Sequence, residues 1–387
     1  MLLLFLLGSL CLPAQTPATK GYEHFYNLEF DQAIDVFQSA VRANPNDAEP
    51  HNHLAHAILY REMLRSGALE SEMVSGSNPF LRREKMKPSL EDQQRFEAAI
   101  QKSMELTTLA LSRNPQDTNA MYLQGVAYGL RGNYNFLVKK AWTDALHDIT
   151  TSRKLHNKVT ELDPKRIDAR LVQGLHDYVV GSLPWSYKIL GFVIGFRGNK
   201  EEGIKTLQLV AREGTENRTD AKVLLGVVYR RERRPGDAIP LIKDLLSRYP
   251  RNYLLRLEMV QMYGDLGDKD SAMAALRELD ELKKANTIGV RAMPTEKINY
   301  ARGTLLFWYR DYDTAIAELR KAAAKSKELD LNTGSMTYLR LGQCYDMKQK
   351  REDALAAYRQ AIAIAPDSDA ARQSKQFLSS PFKRGKG

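Results

Sequence analysis

Small, ring-bearing and aliphatic residues recur along the chain at fixed intervals. Counting from a glycine, a ring follows at position three, an alanine at twelve, a large apolar residue at sixteen and a smaller one at nineteen, with proline at twenty-four: Gly342, Tyr345, Ala354, Tyr358, Ala361 and Pro366. The same spacing gives Gly226, Tyr229, Ala238, Ile242, Leu245 and Pro250, and again Gly21, His24, Ala33, Phe37, Ala40 and Pro45. It predicts two antiparallel helices per unit, with the glycine of the first facing the alanine of the second and the aromatic rings filling the space between hairpins. Proline ends the second helix because it lacks an N–H and clashes with the preceding turn. A hairpin of this size cannot bury its apolar face alone, so copies must stack.

Weaker copies are centred on Ala55, on Gly125 with Tyr128, on Gly174 with Tyr178, on Val260 with Tyr263 and Ala272, and on Gly303 with Ala315. Together these residues resemble the tetratricopeptide repeat (TPR), a helix–turn–helix unit of roughly 34 residues. The resemblance implies an all-α fold: a right-handed solenoid of about eight hairpins, interrupted by inserts, running from Ala14 to Ser368. The chain then divides into a leader (1–14), two units (15–65), a Ser/Gly/Pro-rich loop insert (66–89), and units with extended helices (90–180). An apolar insert (181–203), further units (204–286), C-terminal units (287–366), a capping helix (367–378) and a tail expected to fray (379–387) complete it. No breaker occurs between Asn133 and Leu162, which predicts one lengthened helix there, and 287–294 reads as a flexible connection.

The rest of the composition narrows the function. An apolar content of 43% with only 15 prolines in 387 residues argues against disorder. The formal charge of +10 is scattered rather than blocked, which fits a solvated surface better than a nucleic-acid arm; no nucleic-acid partner is expected. Cys11 and Cys344 lie at opposite ends of the chain, excluding a disulfide framework and a cysteine-rich zinc site. Cys344 reads as a small buried side chain in a helix. The opening MLLLFLLGSLCLPAQ is too short to span a bilayer and reads as a cleaved secretory signal, placing the protein in a periplasmic or secreted setting. A lipoprotein signal through Cys11 is disfavoured by Leu10, where a small residue is usual.

Candidate chemistry is sparse. His53 and His56 stand three apart in HNHLAH, on one helical face, yet the order lacks the glutamate that HExxH supplies as general base, so no metal site is assigned. The glycines of GFRGNKEEG (195–203) follow no strand, and Asn199 is expected to cap a helix rather than cradle phosphate. No nucleophile elbow ties a serine to a histidine. The reading is therefore no enzyme and no cofactor.

Binding is the remaining expectation. In TPR proteins the first helix of each unit lines the concave face, and here that implies a groove with Tyr26, Asn52, His56, Tyr60, Tyr122, Tyr178, Arg230, Tyr300 and Trp308, suited to a protein or peptide partner. TPR domains that grip a C-terminal carboxylate use inward Lys and Asn; the equivalent positions here hold Asn52, Tyr122, Leu171, Val223 and Leu257, which speaks against that clamp. The apolar stretch 179–196 offers an alternative, a hydrophobic ligand or a peripheral membrane contact through Trp185, Tyr187 and Phe192. Gly174, Tyr178, Ser182, Leu183, Pro184, Gly195, Phe196, Gly198, Asn199 and Gly203 also resemble a segment of a eukaryotic TPR family linked to the mitochondrial outer membrane and lipid-droplet clearance.

Overall fold

The computed structural model describes residues 16–71, 86–183 and 197–384. Among these residues there are helices and no strands, in the order of a helical-repeat solenoid. The paired helices are α1 (Pro17–Tyr26) with α2 (Phe30–Ala43), α3 (Ala48–Arg65) with α5 (Leu90–Arg113), and α6 (Thr118–Tyr134) with α7 (Trp142–Leu162). They continue with α8 (Arg170–Gly181) and α9 (Lys200–Glu213), α10 (Arg218–Arg231) and α11 (Pro235–Arg248), and α12 (Tyr253–Leu266) and α13 (Lys269–Lys284). The last two pairs are α14 (Thr295–Trp308) with α15 (Tyr312–Ala324) and α16 (Leu331–Met347) with α17 (Arg351–Ile364), closed by α18 (Asp369–Ser379). A single-turn α4 (Ala68–Ser71) follows α3.

Local chemistry fixes the helix limits. Asp47, Ser89, Asp117, Asn199, Asn252, Asp268, Asp311, Asp330 and Ser368 each accept a backbone N–H at a helix start, satisfying donors that the first turn leaves unpaired. At the ends of α2, α5, α7, α11 and α17 the next residue precedes a proline: Asn44, Asn114, Asp163, Tyr249 and Ala365. All five take φ between −123° and −144° with positive ψ, since proline Cδ excludes the helical region from its predecessor. Inside the hairpins the turn is left-handed seven residues after the marker, at Leu28, Arg233, Gly267, Arg310 and Gln349, and only one of these is glycine.

The contact that sets helix separation differs from the expected one. A Cβ on Gly21 or Gly342 would overlap the ring of Phe37 or Tyr358, sixteen residues on, and one on Gly303 would stand 2.6 Å from Leu319. The glycine therefore receives the large side chain of the second helix, and the alanine at position twelve is buried beside it. Where that large residue is Ile242, a Cβ on Gly226 would find its nearest atom at 4.0 Å, so the constraint is slack. In α8–α9 the backbones themselves meet, with Gly203 against Tyr178 N and the Gly174 carbonyl.

Three expectations about the connections are revised. Residues 133–162 are not one helix: α6 passes into a π-helical turn (Asn135–Lys139), and Lys140 adopts φ 55°, which breaks the run without Gly or Pro before α7. The connection after α13 is packed rather than flexible, because Val290 and Met293 are buried and Gly289, at φ 87°, lies against the carbonyl of Asn27. The tail is docked as far as Arg384: Phe382 packs on Phe307 and Phe377, and its N–H is accepted by Asp346 Oδ2 at 2.7 Å.

The solenoid also closes on itself. Tyr26 OH donates to Asp220 at 2.8 Å, Asn252 Nδ2 donates to the Tyr26 carbonyl at 2.6 Å, and the Arg251 N–H donates to Asn27 Oδ1 at 3.0 Å. Arg251 and buried Glu29 form an ion pair at 2.5 Å. Leu28 packs both in the first hairpin's core and against the cluster around Tyr253, Val290 and Met293. The turn of the first hairpin thus reaches the starts of α10 and α12 and narrows the mouth of the concave face.

Candidate functional site

The first helices of seven units, α1, α3, α6, α8, α10, α12 and α14, surround a cavity of about 1290 Å³. Its walls are mostly apolar: Leu171 and Leu175 on α8, Val223 and Val227 on α10, Leu254 and Leu257 on α12, Ala301 and Leu305 on α14. Spacings of three and four put these residues on one face of each helix. Tyr26, His56, Tyr60, Arg230, Tyr300 and Trp308 share this wall.

Asn52, Tyr122 and Tyr178 do not line it, a correction to the predicted groove. Each is almost fully buried and ties one unit to another: Asn52 Nδ2 donates to the Leu123 carbonyl at 2.9 Å, Tyr122 OH accepts from Asn217 Nδ2 at 2.9 Å, and Tyr178 OH donates to Glu232 at 3.2 Å. Trp185, Tyr187 and Phe192 lie outside the described residues.

Of the charged groups at the wall, sequence reasoning named Arg230 and missed Glu258, Asp220 and Lys297. Arg230 Nη1 meets Glu258 Oε2 at 2.5 Å, while Glu258 Oε1 is buried without a hydrogen-bond partner, and burial raises this carboxyl against the pull of Arg230. Burial lifts Asp220 to about 6 despite the hydrogen bond from Tyr26. Lys297 pairs with Asp330 at 2.9 Å; the lysine charge, with the hydrogen bond to Thr333, holds Asp330 below its usual range against the cost of burial. The signal available was an acid set among apolar residues in a first helix, as Glu258 between Leu257 and Met259.

The histidine pair sits in an aromatic nest. His56 packs on Phe25, Tyr60 and Tyr22 with ring centroids 4.5, 4.5 and 6.2 Å away, and His53 packs on Tyr22 and Phe37. Burial lowers His53 to about 4 and His56 to about 3, so both are neutral packing groups near pH 7. Among the described residues, no three His, Cys, Asp or Glu side chains stand close enough to hold a metal ion, and no helix is long and apolar enough to cross a membrane. In the basic run Tyr229–Arg234, Arg230 pairs with Glu258, Arg231 lies over Tyr178, and Arg234 binds Asp237 and stacks on Tyr229.

Residues 220–286 and 335–368 match the tetratricopeptide repeat. These stretches are TPR units. No curated protein matches the chain. Among solved structures, similarity extends to YrrB, described as a TPR protein with an unusual peptide-binding site, at 16% identity over 70% of this chain and 97% of that one, TM-score 0.32. The human IFIT1 dimer is similar in its form with PPP-AAAA, at 14% identity over 95% of this chain and 81% of that one, TM-score 0.46. The same dimer with m7Gppp-AAAA gives 15% identity, 94% and 81% coverage, and a TM-score of 0.47.

Proposed function

We propose that this TPR chain is an exported, non-catalytic binding protein that encloses an elongated apolar segment of a protein partner inside its ring of first helices. The observation that carries the reading is the apolar cavity itself. Its volume exceeds the roughly 300–1,000 Å³ of sites for drug-sized ligands, and a peptide segment or short helix fills such a space along its length. Tyr60, Tyr300 and Trp308 offer broad contact at low rotamer cost. Export rests on the apolar residues 1–14 and is tested by N-terminal sequencing of the protein recovered from cells.

Photo-crosslinking tests the binding reading. A photoreactive residue at Leu257 or Tyr300, on the cavity wall, is expected to capture the same partner in cells, and one at the outward-facing Lys321 is expected not to. Equal capture from both faces, or none from the wall, defeats it. A second reading, a peripheral membrane contact, is favoured by the exposed Val179 on α8, which leads into the apolar 184–196 segment. Liposome flotation that is positive and lost in Trp185→Ala with Phe192→Ala supports this alternative.

A further inference from the structure

Two guanidinium groups share one indole at the C-terminal side of the cavity. Arg340 Cζ lies 4.8 Å from the Trp308 ring centroid and 5.0 Å from that of Phe307; Arg384 Cζ lies 5.5 and 5.9 Å from the same two rings. Neither arginine forms an ion pair among the described residues. Arg340 Nη1 donates to Gln343 Oε1 at 2.7 Å, and Arg384 donates to the carbonyls of Trp308 at 2.8 Å and Phe307 at 3.3 Å. The Nε of Arg340 is buried with no acceptor.

Other cations at or behind the wall are treated differently. Arg230 has Glu258, Lys297 has Asp330, and Arg302 on α14 has both Asp280 and Glu318. Burial of Arg340 lowers its pKa, and no carboxylate counters the effect. Two like charges on one ring, one of them partly desolvated and holding an unused donor, are a costly arrangement that an anion would relieve. Arginine forks match a carboxylate geometrically, and stacking on Trp308 holds the forks in place.

The site is continuous with the cavity. Trp308 and Arg384 belong to its lining, and Tyr300 and Thr304 lead to Trp308 along the same face of α14. Trp308 is nevertheless 47% exposed, so this is where a ligand end meets solvent. The net charge of +10 favours an acidic partner over a basic one.

We propose that Arg340 and Arg384, set against Trp308, anchor an acidic group on the apolar partner segment, a terminal carboxylate or an acidic side chain, while the rest of that segment lies in the cavity. This rests on the cavity reading above and adds the chemistry of one ligand end.

The test uses the full chain and four probes measured by calorimetry. They are dodecanoate and dodecanol, which share a chain and differ in charge, and a twelve-residue Leu/Ala-rich peptide with a free or an amidated C-terminus. Both acid-bearing probes should bind about 10-fold tighter than their neutral counterparts, as expected of hydrogen bonds between charged groups. The preference should fall below about 2-fold in Arg340→Gln and in Arg384→Gln, and be only partly kept in Arg340→Lys, which retains the charge without the fork. Dodecanol affinity unchanged in Arg340→Gln, a residue behind the cavity lining, shows that this variant keeps the cavity intact. Equal affinity for charged and neutral probes, or a preference that persists in both Gln variants, overturns the anchor and leaves the cavity reading standing. Failure of all four probes to bind removes both. A charge preference for dodecanoate with none for the peptide overturns the proposal as stated and reassigns the anchor to an acyl carboxylate.

Discussion

The first and last hairpins are built alike, with Phe37 seated on Gly21 in one and Tyr358 on Gly342 in the other, yet different partners cover their outer faces. The last hairpin is covered by the chain that follows it. Phe377 of α18 packs on Tyr358, Phe382 packs on Phe377, and Arg351 donates to the carbonyls of Phe377 and Leu378 at 2.7 and 3.0 Å. The first hairpin is covered by elements some two hundred residues away: Tyr249, Arg251, Asn252 and the Val290 segment. Local capping leaves a solenoid open, whereas capping by a distant unit bends it shut. The clasp at the first hairpin is therefore what deepens the groove of first helices into a partly enclosed cavity.

Removing one side of the long-range clasp should have the largest effect. Arg251→Ala leaves the buried Glu29 carboxylate with His24 alone, at a cost of about 3 kcal/mol. Hydrogen exchange should accelerate in α1 and α2 and stay unchanged in α16 and α17; uniform acceleration would mean that the two ends are not independently capped.

Acidification should separate the ends in the same sense. Below pH 6.5 the unfolded chain binds protons at His53 and His56 that the folded chain, with values of about 4 and 3, does not, so stability falls as pH drops. Asp220, at about 6 when folded, takes up its proton earlier in the folded state and offsets part of the loss. His156 on α7, also lowered to about 4 by burial, acts in the same direction as His53 and His56. The net loss at pH 5 should be roughly 4 kcal/mol, read as a lower Tm and as faster exchange in the first three units. Replacing His56 with Gln should remove about 2 kcal/mol of this pH dependence.

At the other end, Phe382→Ala removes a half-buried ring from between Phe307 and Phe377. It should cost about 1–2 kcal/mol, with faster exchange confined to α16–α18. The smallest effect distinguishes two left-handed turns. Gln349, at φ 60° and exposed, should gain up to about 1 kcal/mol on replacement by Gly, since the strain disappears and no packing is lost. Leu28, at φ 63°, spans two cores across the closure, so Leu28→Gly should destabilise; paired thermal melts of opposite sign would sharpen the contrast.

Much of the architecture was legible because its causes are local. Proline at the twenty-fourth position stops a helix through its own ring, and a polar residue caps the next helix through a side chain two or three residues from its target. The identity of the buried contact was less legible: spacing suggested Gly against Ala, whereas the groove left by a missing Cβ is filled by the largest side chain in reach. The break at Lys140 carries no Gly or Pro, so nothing in composition marked it. Of the expected groove residues, Asn52, Tyr122 and Tyr178 turned into the joints between units because a helical face does not distinguish a neighbouring hairpin from an empty interior.

The sequence by itself determined the helices, their pairing and the succession of units, because each depends on residues within about one repeat of one another. Tertiary structure alone decided that the first hairpin clasps segments some two hundred residues away, that the interior forms an apolar cavity, and that Arg340 and Arg384 come to share the indole of Trp308. Those outcomes depend on the summed rotation of many units and on contacts such as Tyr26 with Asp220, 194 positions apart, for which no periodic pattern exists to be read.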